Sequence, residues 1–282
     1  MRNTRTTRNK WVGQEGRKPM PKAEPRQPVG PLRTRLRVAR ALARQRTLTL
    51  RRRALLGRFS AVVAPLWPLL VYLPLVAAGA LPRPGAVPPL AYAALGYWTW
   101  SLLVDATLAP ARGLAAHRGP TTAPTAAMLA GLIEAAQRAG WRAVILGPLA
   151  LAATSSALPP LGILQALAAV TAALVLALAA GLILALWSAP WPDVPVGAAT
   201  GLRLTLLPSL VLFPLPDAPW TDVATMLNPL ALWTDTVRTL LLGDGWPYPV
   251  AAAAWSLLGL AGFTLALRAL GRLAPCLREA LG

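Results

Sequence analysis

Cysteine and histidine are nearly absent: the 282-residue chain has one of each, Cys276 and His117. An intrachain disulfide is therefore excluded. So in practice is a metal site of the zinc type, which draws on several Cys and His ligands. A serine, histidine and aspartate set would have His117 alone to draw on. Acids are scarce too, 10 against 28 lysines and arginines. No GxxxxGKS/T phosphate loop occurs, so the chain cannot hydrolyse nucleotide by that mechanism. Neither GxSxG nor HExxH occurs. Near membrane depth the only carboxylates are Asp105 and Glu134, in different segments. The large polar loops of an integral-membrane glycosyltransferase are missing. An enzyme is disfavoured. No secretory signal peptide fits, because the first apolar run begins only near residue 54.

What the chain does have is hydrophobicity. Its residues are 55% hydrophobic and 13% charged, a membrane-protein composition. The positive charge is not spread evenly. Residues 1–58 hold 18 of the 28 basic residues, against two acids, Glu15 and Glu24. A basic arm thus precedes a nearly neutral hydrophobic body. Such an arm can bind nucleic acid, but with this body behind it the reading is a cytoplasmic, lipid-facing arm and no nucleic-acid partner.

Residues 1–31 are rich in Arg, Lys, Pro, Gln and Gly and read as disordered. Residues 32–58 read as an interface helix. Leu32, Leu36, Val38, Leu42 and Ala43 recur at helical spacing among arginines, as suits a helix lying on an anionic leaflet or against a partner. Six stretches of 59–282 then read as membrane spans, at about 59–81, 90–108, 138–157, 161–187, 196–216 and 248–270. The fold class is all-α integral membrane.

The third span is the least distinct. Glu134, Gln137, Arg138 and Arg142 share its segment, with Glu134 and Arg138 spaced for an i, i+4 pair. Either a long helix enters from the cytoplasm and crosses, or its polar half lines a cavity or partner contact. In the fifth, Gly197 and Gly201 make a GxxxG pair that can allow close helix contact. The second carries Tyr92, Tyr97, Trp98 and Trp100, interface-belt residues or substrate contacts.

The stretch 219–247 is too polar to cross, holding Asp222, Asp235, Arg238 and Asp244. It reads as a short helix. Asn228 caps it, Pro229 suits the first helical position, and Gly243 can stop it. Leu230, Trp233, Val237 and Leu241 fall on one face, with Asp235 and Arg238 as a brace on the other. Basic residues flank the spans so that both termini are predicted in the cytoplasm, and 219–247 on the outside of the cell membrane.

Four passages resemble one family in order and spacing. They are RRRALLGRFSAVVAPLWPLLVYLPLVAAGAL (51–81), AYAALGYWTWSLLVDATLAPARGLAAHRG (91–119), DVPVGAATGLRLTLLPSLVLFPLPD (193–217) and LNPLALWTDTVRTLLLGD (227–244). The closing LREAL (277–281) also fits. The chain is similar over 45–282 to the membrane subunit of ABC-2 type exporters, in the branch that exports cell-surface polysaccharides and polyol phosphates. Its basic arm is longer than the family's. Glu134 and Arg138 stand where the family is more apolar.

The resemblance implies a homodimeric permease working with a separate ABC ATPase subunit. It implies no cofactor on this chain, ATP and magnesium being held by the partner. It places ATPase coupling at Arg112, His117 and Arg118, after the second span. It implies re-entrant helices at an outer gate, with Asn228, Pro229, Trp233, Asp235 and Arg238. Aromatic walls suit a glycan, which makes Tyr97, Trp98 and Trp100 the substrate-channel candidates. A drug or antibiotic efflux permease of the same superfamily, and a non-transporting membrane scaffold, are the alternatives.

Overall fold

Proline punctuates this chain, and six of its helices begin on one. The computed structural model describes residues 32–53, 59–82, 84, 87–116, 123–153, 159–206, 208–209, 211–214, 218–242 and 245–281. Among these, all regular structure is helical: α1 (Leu32–Arg53), α2 (Phe59–Ala77), α3 (Pro89–Ala116), α4 (Pro124–Ala153), α5 (Pro160–Ser188), α6 (Val194–Leu204), α7 (Pro219–Leu227), α8 (Pro229–Leu242) and α9 (Pro249–Leu281). A proline at the first helical position forfeits only an N–H that would have no intrahelical partner, and its fixed φ already suits the helix. The arm at 1–31 lies outside the described residues, as do 54–58, His117, Arg118 and Gly243.

Two helices, Pro160–Ser188 and Pro249–Leu273, are long and apolar enough to cross a membrane. Neither is a buried core helix. Leu161, Leu164 and Leu167 on α5, and Val250, Leu257 and Leu265 on α9, are all exposed. Apolar surface this continuous needs a non-aqueous surrounding, whether lipid or protein.

The segment expected to be a fifth span differs most. Only Val194–Leu204 is helical there, 11 residues, which reach about 16 Å against a hydrocarbon core of about 30 Å. Beyond it the chain runs through turns and bends past Pro208 to Pro214. Among the described residues its GxxxG pair packs against nothing, for a side-chain carbon added at Gly197 or Gly201 would meet open space.

Close packing occurs instead between α3 and α4. A carbon added to Gly113 would strike the carbonyl of Ala127, and one on Gly131 the carbonyl of Ala109. Small residues on both helices let the backbones touch, as in membrane helix pairs. The third-span segment is one continuous 30-residue helix, α4, and its polar half, with Glu134, Gln137 and Arg138, meets α1 and α3.

α3 is the central element. It packs against α2, α4, α5, α6 and α8, and its residues are buried almost without interruption from Ala91 to Leu114. One core joins Leu103 and Ala106 of α3 to Ala166, Ala169 and Ala173 of α5, and to Trp233 and Val237 of α8. A second joins Ala111 and Leu114 to Met128 of α4, Leu182 and Ala185 of α5, and Ala266 of α9. The contact face of α1 is narrower than its sequence pattern. Ala39 and Ala43 are buried against Ala130, while Val38 and Leu48 remain exposed.

Candidate functional site

The helix α8 is positioned from its first residue. Asn228 sits between α7 and α8 with extended backbone. Its Oδ1 accepts the N–H of Leu230 at 3.1 Å and of Ala231 at 3.4 Å, which caps α8. Its Nδ2 donates to the carbonyl of Pro208 at 3.3 Å and to Ser209 Oγ at 3.4 Å, tying the cap to the bent segment after α6. The indole N–H of Trp255 donates to the Met226 carbonyl at 2.9 Å, and Tyr248 Oη to Asp222 at 2.8 Å, so α7 is held against the start of α9.

Periodicity located the apolar side of α8, and Trp233 is 1% exposed there. The Asp235 and Arg238 pair expected on the other face does form, and that face is covered too, with Arg238 buried and Asp235 half-buried. Arg238 is 2% exposed. Its guanidinium carbon lies 3.4 Å from the centroid of the Tyr92 ring. Nη2 donates to the Val211 carbonyl at 3.2 Å, and Nη1 stands 3.5 Å from Asp235. Room for this head comes from Gly96, where any side chain would run into the Val211 carbonyl and Arg238. Burial pushes the Asp235 carboxyl above its usual range, and Arg238 pulls it back. A buried cation persists only where dipoles, π faces or carboxylates compensate it, and here α3, α8 and the 211 bend each supply one.

A second constellation joins α1, α3 and α4. Asp105 of α3 accepts three guanidinium groups: Arg142 at 2.7 Å, Arg112 at 3.1 Å and Arg138 at 3.2 Å. Arg142 reaches on to the Ser101 carbonyl at 3.4 Å. Glu134 of α4 accepts Arg46 of α1 at 3.1 Å, and its anticipated partner Arg138 lies farther off at 3.9 Å. Four guanidinium groups thus share two carboxylates. The i, i+4 spacing of Glu134 and Arg138 was legible. That Arg138 bridges Glu134 to Asp105 was not, because the bridge depends on how closely Gly113 and Gly131 bring α3 to α4.

The aromatic candidates are brought together in part. Tyr97 and Trp100 stack with ring centroids 6.0 Å apart. Trp100 is buried with Val104, Leu108 and Val211, and its indole N–H donates to Thr205 at 3.3 Å. Trp98 is half-buried and lines a cavity of about 150 Å³ with Leu95, Leu146 and Gly147. Of the coupling candidates, Arg112 is occupied by Asp105. The gate candidates Asn228, Pro229, Trp233, Asp235 and Arg238 all lie on one capped helix start and its first three turns. Among the described residues, no group of three or more His, Cys, Asp and Glu side chains could hold a metal ion. A scan against protein-family models and a search of curated proteins find nothing that matches this chain.

Proposed function

We propose that the chain is the transmembrane subunit of an ABC-2 type exporter, moving a cell-surface polysaccharide or lipid-linked glycan out of the cytoplasm. It would act as a homodimer in the cell membrane with a separate ATPase subunit. One observation carries this reading: two short helices, α7 and α8, meet at Asn228–Pro229 in the stretch of chain between the long apolar helices α5 and α9. A helix capped by Asn-Pro, too short and too charged to cross, yet buried over much of its surface, is what a re-entrant gate requires. The order of the four family-like passages supports the same reading.

In this proposal six crossings are made by α2, α3, α4, α5, α9 and the 194–214 segment. The last would cross with irregular backbone. Such backbone is tolerated at membrane depth where protein covers it, and Ser209 and Val211 are both buried. Both termini would be cytoplasmic, and α7–α8 would face outward. Arg112 would sit at the cytoplasmic end of α3, with the coupling contact formed by the loop beyond.

Burial of Trp100 removes one ring from an aromatic passage within this chain. That favours, as the second reading, an efflux permease of the same superfamily for smaller apolar cargo. The test is co-purification of the full chain with an ABC ATPase subunit from its own organism, followed by reconstitution. Stimulated ATP turnover supports the exporter reading, and a chain that binds no ATPase overturns it. Transfer of a lipid-linked glycan, against efflux of amphipathic drugs, separates the two cargoes.

A further inference from the structure

The charged network leaves an imbalance on the outer side of α1. Arg40 and Arg44, one turn apart, are both exposed, and among the described residues neither takes part in an ion pair. Together with Thr47 they form one wall of a groove of about 520 Å³ between α1 and α4. Gln137 adds an amide on the opposite wall. Among the described residues no carboxylate lines it. The nearby Glu134 is buried and turned inward to Arg46 and Arg138.

The remainder of the groove is apolar: Leu48, Ile133 and Trp141. Trp141 is 54% exposed and Leu48 47% exposed. Ile133, Gln137 and Trp141 recur every fourth residue on α4, so they form a continuous strip along it. Two guanidinium groups at one end and an indole strip beside them match an amphiphile with an anionic head. Guanidinium forks grip phosphate oxygens in pairs. A tryptophan with one side exposed is at home at the headgroup level of a bilayer. A free phosphate would leave the apolar strip in water.

The geometry points to a binding groove for one anionic phospholipid between α1 and α4, its phosphate held by Arg40 and Arg44 and its acyl chain laid over Trp141, Leu48 and Ile133. This requires that the chain reside in a membrane, as proposed above, and is independent of whether it exports anything. The lipid would fill the junction where α1 meets the packed helices. α1 would then report the charge of the leaflet to α4 through a bound molecule rather than through diffuse attraction alone.

The test is titration of the purified full chain, in neutral detergent, with dioleoyl phosphatidylglycerol or dioleoyl phosphatidylcholine, read by native mass spectrometry. Phosphatidylglycerol should be retained selectively. Arg40→Gln with Arg44→Gln should weaken it about 30-fold, the equivalent of about 1 kcal/mol for each arginine near an anionic surface. Arg33→Gln with Arg37→Gln removes the same charge from exposed positions of α1 outside the groove, and should leave binding nearly unchanged. Gln137→Glu, which places a carboxylate in the groove, should abolish selectivity. Equal losses from the two arginine pairs would mean diffuse attraction and overturn the proposal. So would phosphatidylcholine binding as tightly, or inorganic phosphate at millimolar concentration displacing the lipid. ATPase stimulation measured on the same preparations keeps the two readings apart: its absence in the unaltered chain sinks the exporter and leaves the lipid result standing.

Discussion

Arg238 places its guanidinium 3.4 Å from the centre of the Tyr92 ring, so a cation of α8 is seated on an aromatic face of α3. The same head reaches the Val211 carbonyl. One side chain thereby fastens α8, the central helix α3 and the bend after α6. Arg238→Ala should destabilise the detergent-solubilised chain by about 3–5 kcal/mol, as removal of one member of a buried charged set does. Tyr92→Leu should cost about 1–2 kcal/mol and Tyr92→Phe less, because phenylalanine keeps the π face. Thermal unfolding checks the order. Equal losses in Tyr92→Phe and Tyr92→Leu would show that the hydroxyl, not the ring, matters.

Asp105 is the acceptor on which Arg112, Arg138 and Arg142 converge. Asp105→Asn leaves three guanidinium groups facing one another. The arginines are partly exposed, which discounts the effect, and the expected loss is about 2–3 kcal/mol. Glu134→Gln should lose less, since it releases chiefly Arg46. Added salt should narrow the difference between Asp105→Asn and the unaltered chain by screening the like charges. Stability that does not respond to salt in Asp105→Asn would contradict this account.

Glycines at two places should behave oppositely. Gly131→Ala meets the carbonyl of Ala109 and should cost about 1–3 kcal/mol as α3 and α4 are forced apart. Gly201→Ala meets open space inside a helix and should gain about 0.5–1 kcal/mol from reduced backbone freedom in the unfolded chain. Paired melting curves decide the matter.

Asn228→Ala removes the cap of α8 and the tie to Pro208 and Ser209. The expected loss is about 1 kcal/mol in stability. If α7–α8 is the outer gate, export should fall while ATPase co-purification is unchanged. Loss of the ATPase from this variant would place α8 elsewhere in the mechanism.

Helix boundaries were legible where proline marks them. Pro229 begins α8 and Asn228 caps it, as the sequence alone predicts. The apolar stripe of Leu230, Trp233 and Val237 does face the core. The burial of Arg238 was not legible, because periodicity assigns a charged residue outward unless its partners are known. Those partners, Tyr92 and the Val211 carbonyl, are distant in sequence. Asp105 looked like an isolated acid for the same reason. The Gly197–Gly201 pair meets open space among the described residues, and spacing cannot tell a used contact face from an open one.

The union of α1 with α4 has a mechanical consequence. A pull on α1 is borne at the contact of Ala39 and Ala43 with Ala130 and at Arg46 and Glu134, and passes through Arg138 to Asp105. Because Asp105 also holds Arg112 near the end of α3, α1 is linked to that helix end through charged groups as well as through the apolar contact at Ala130. The helix that reads most like an appendage is the first link of a relay.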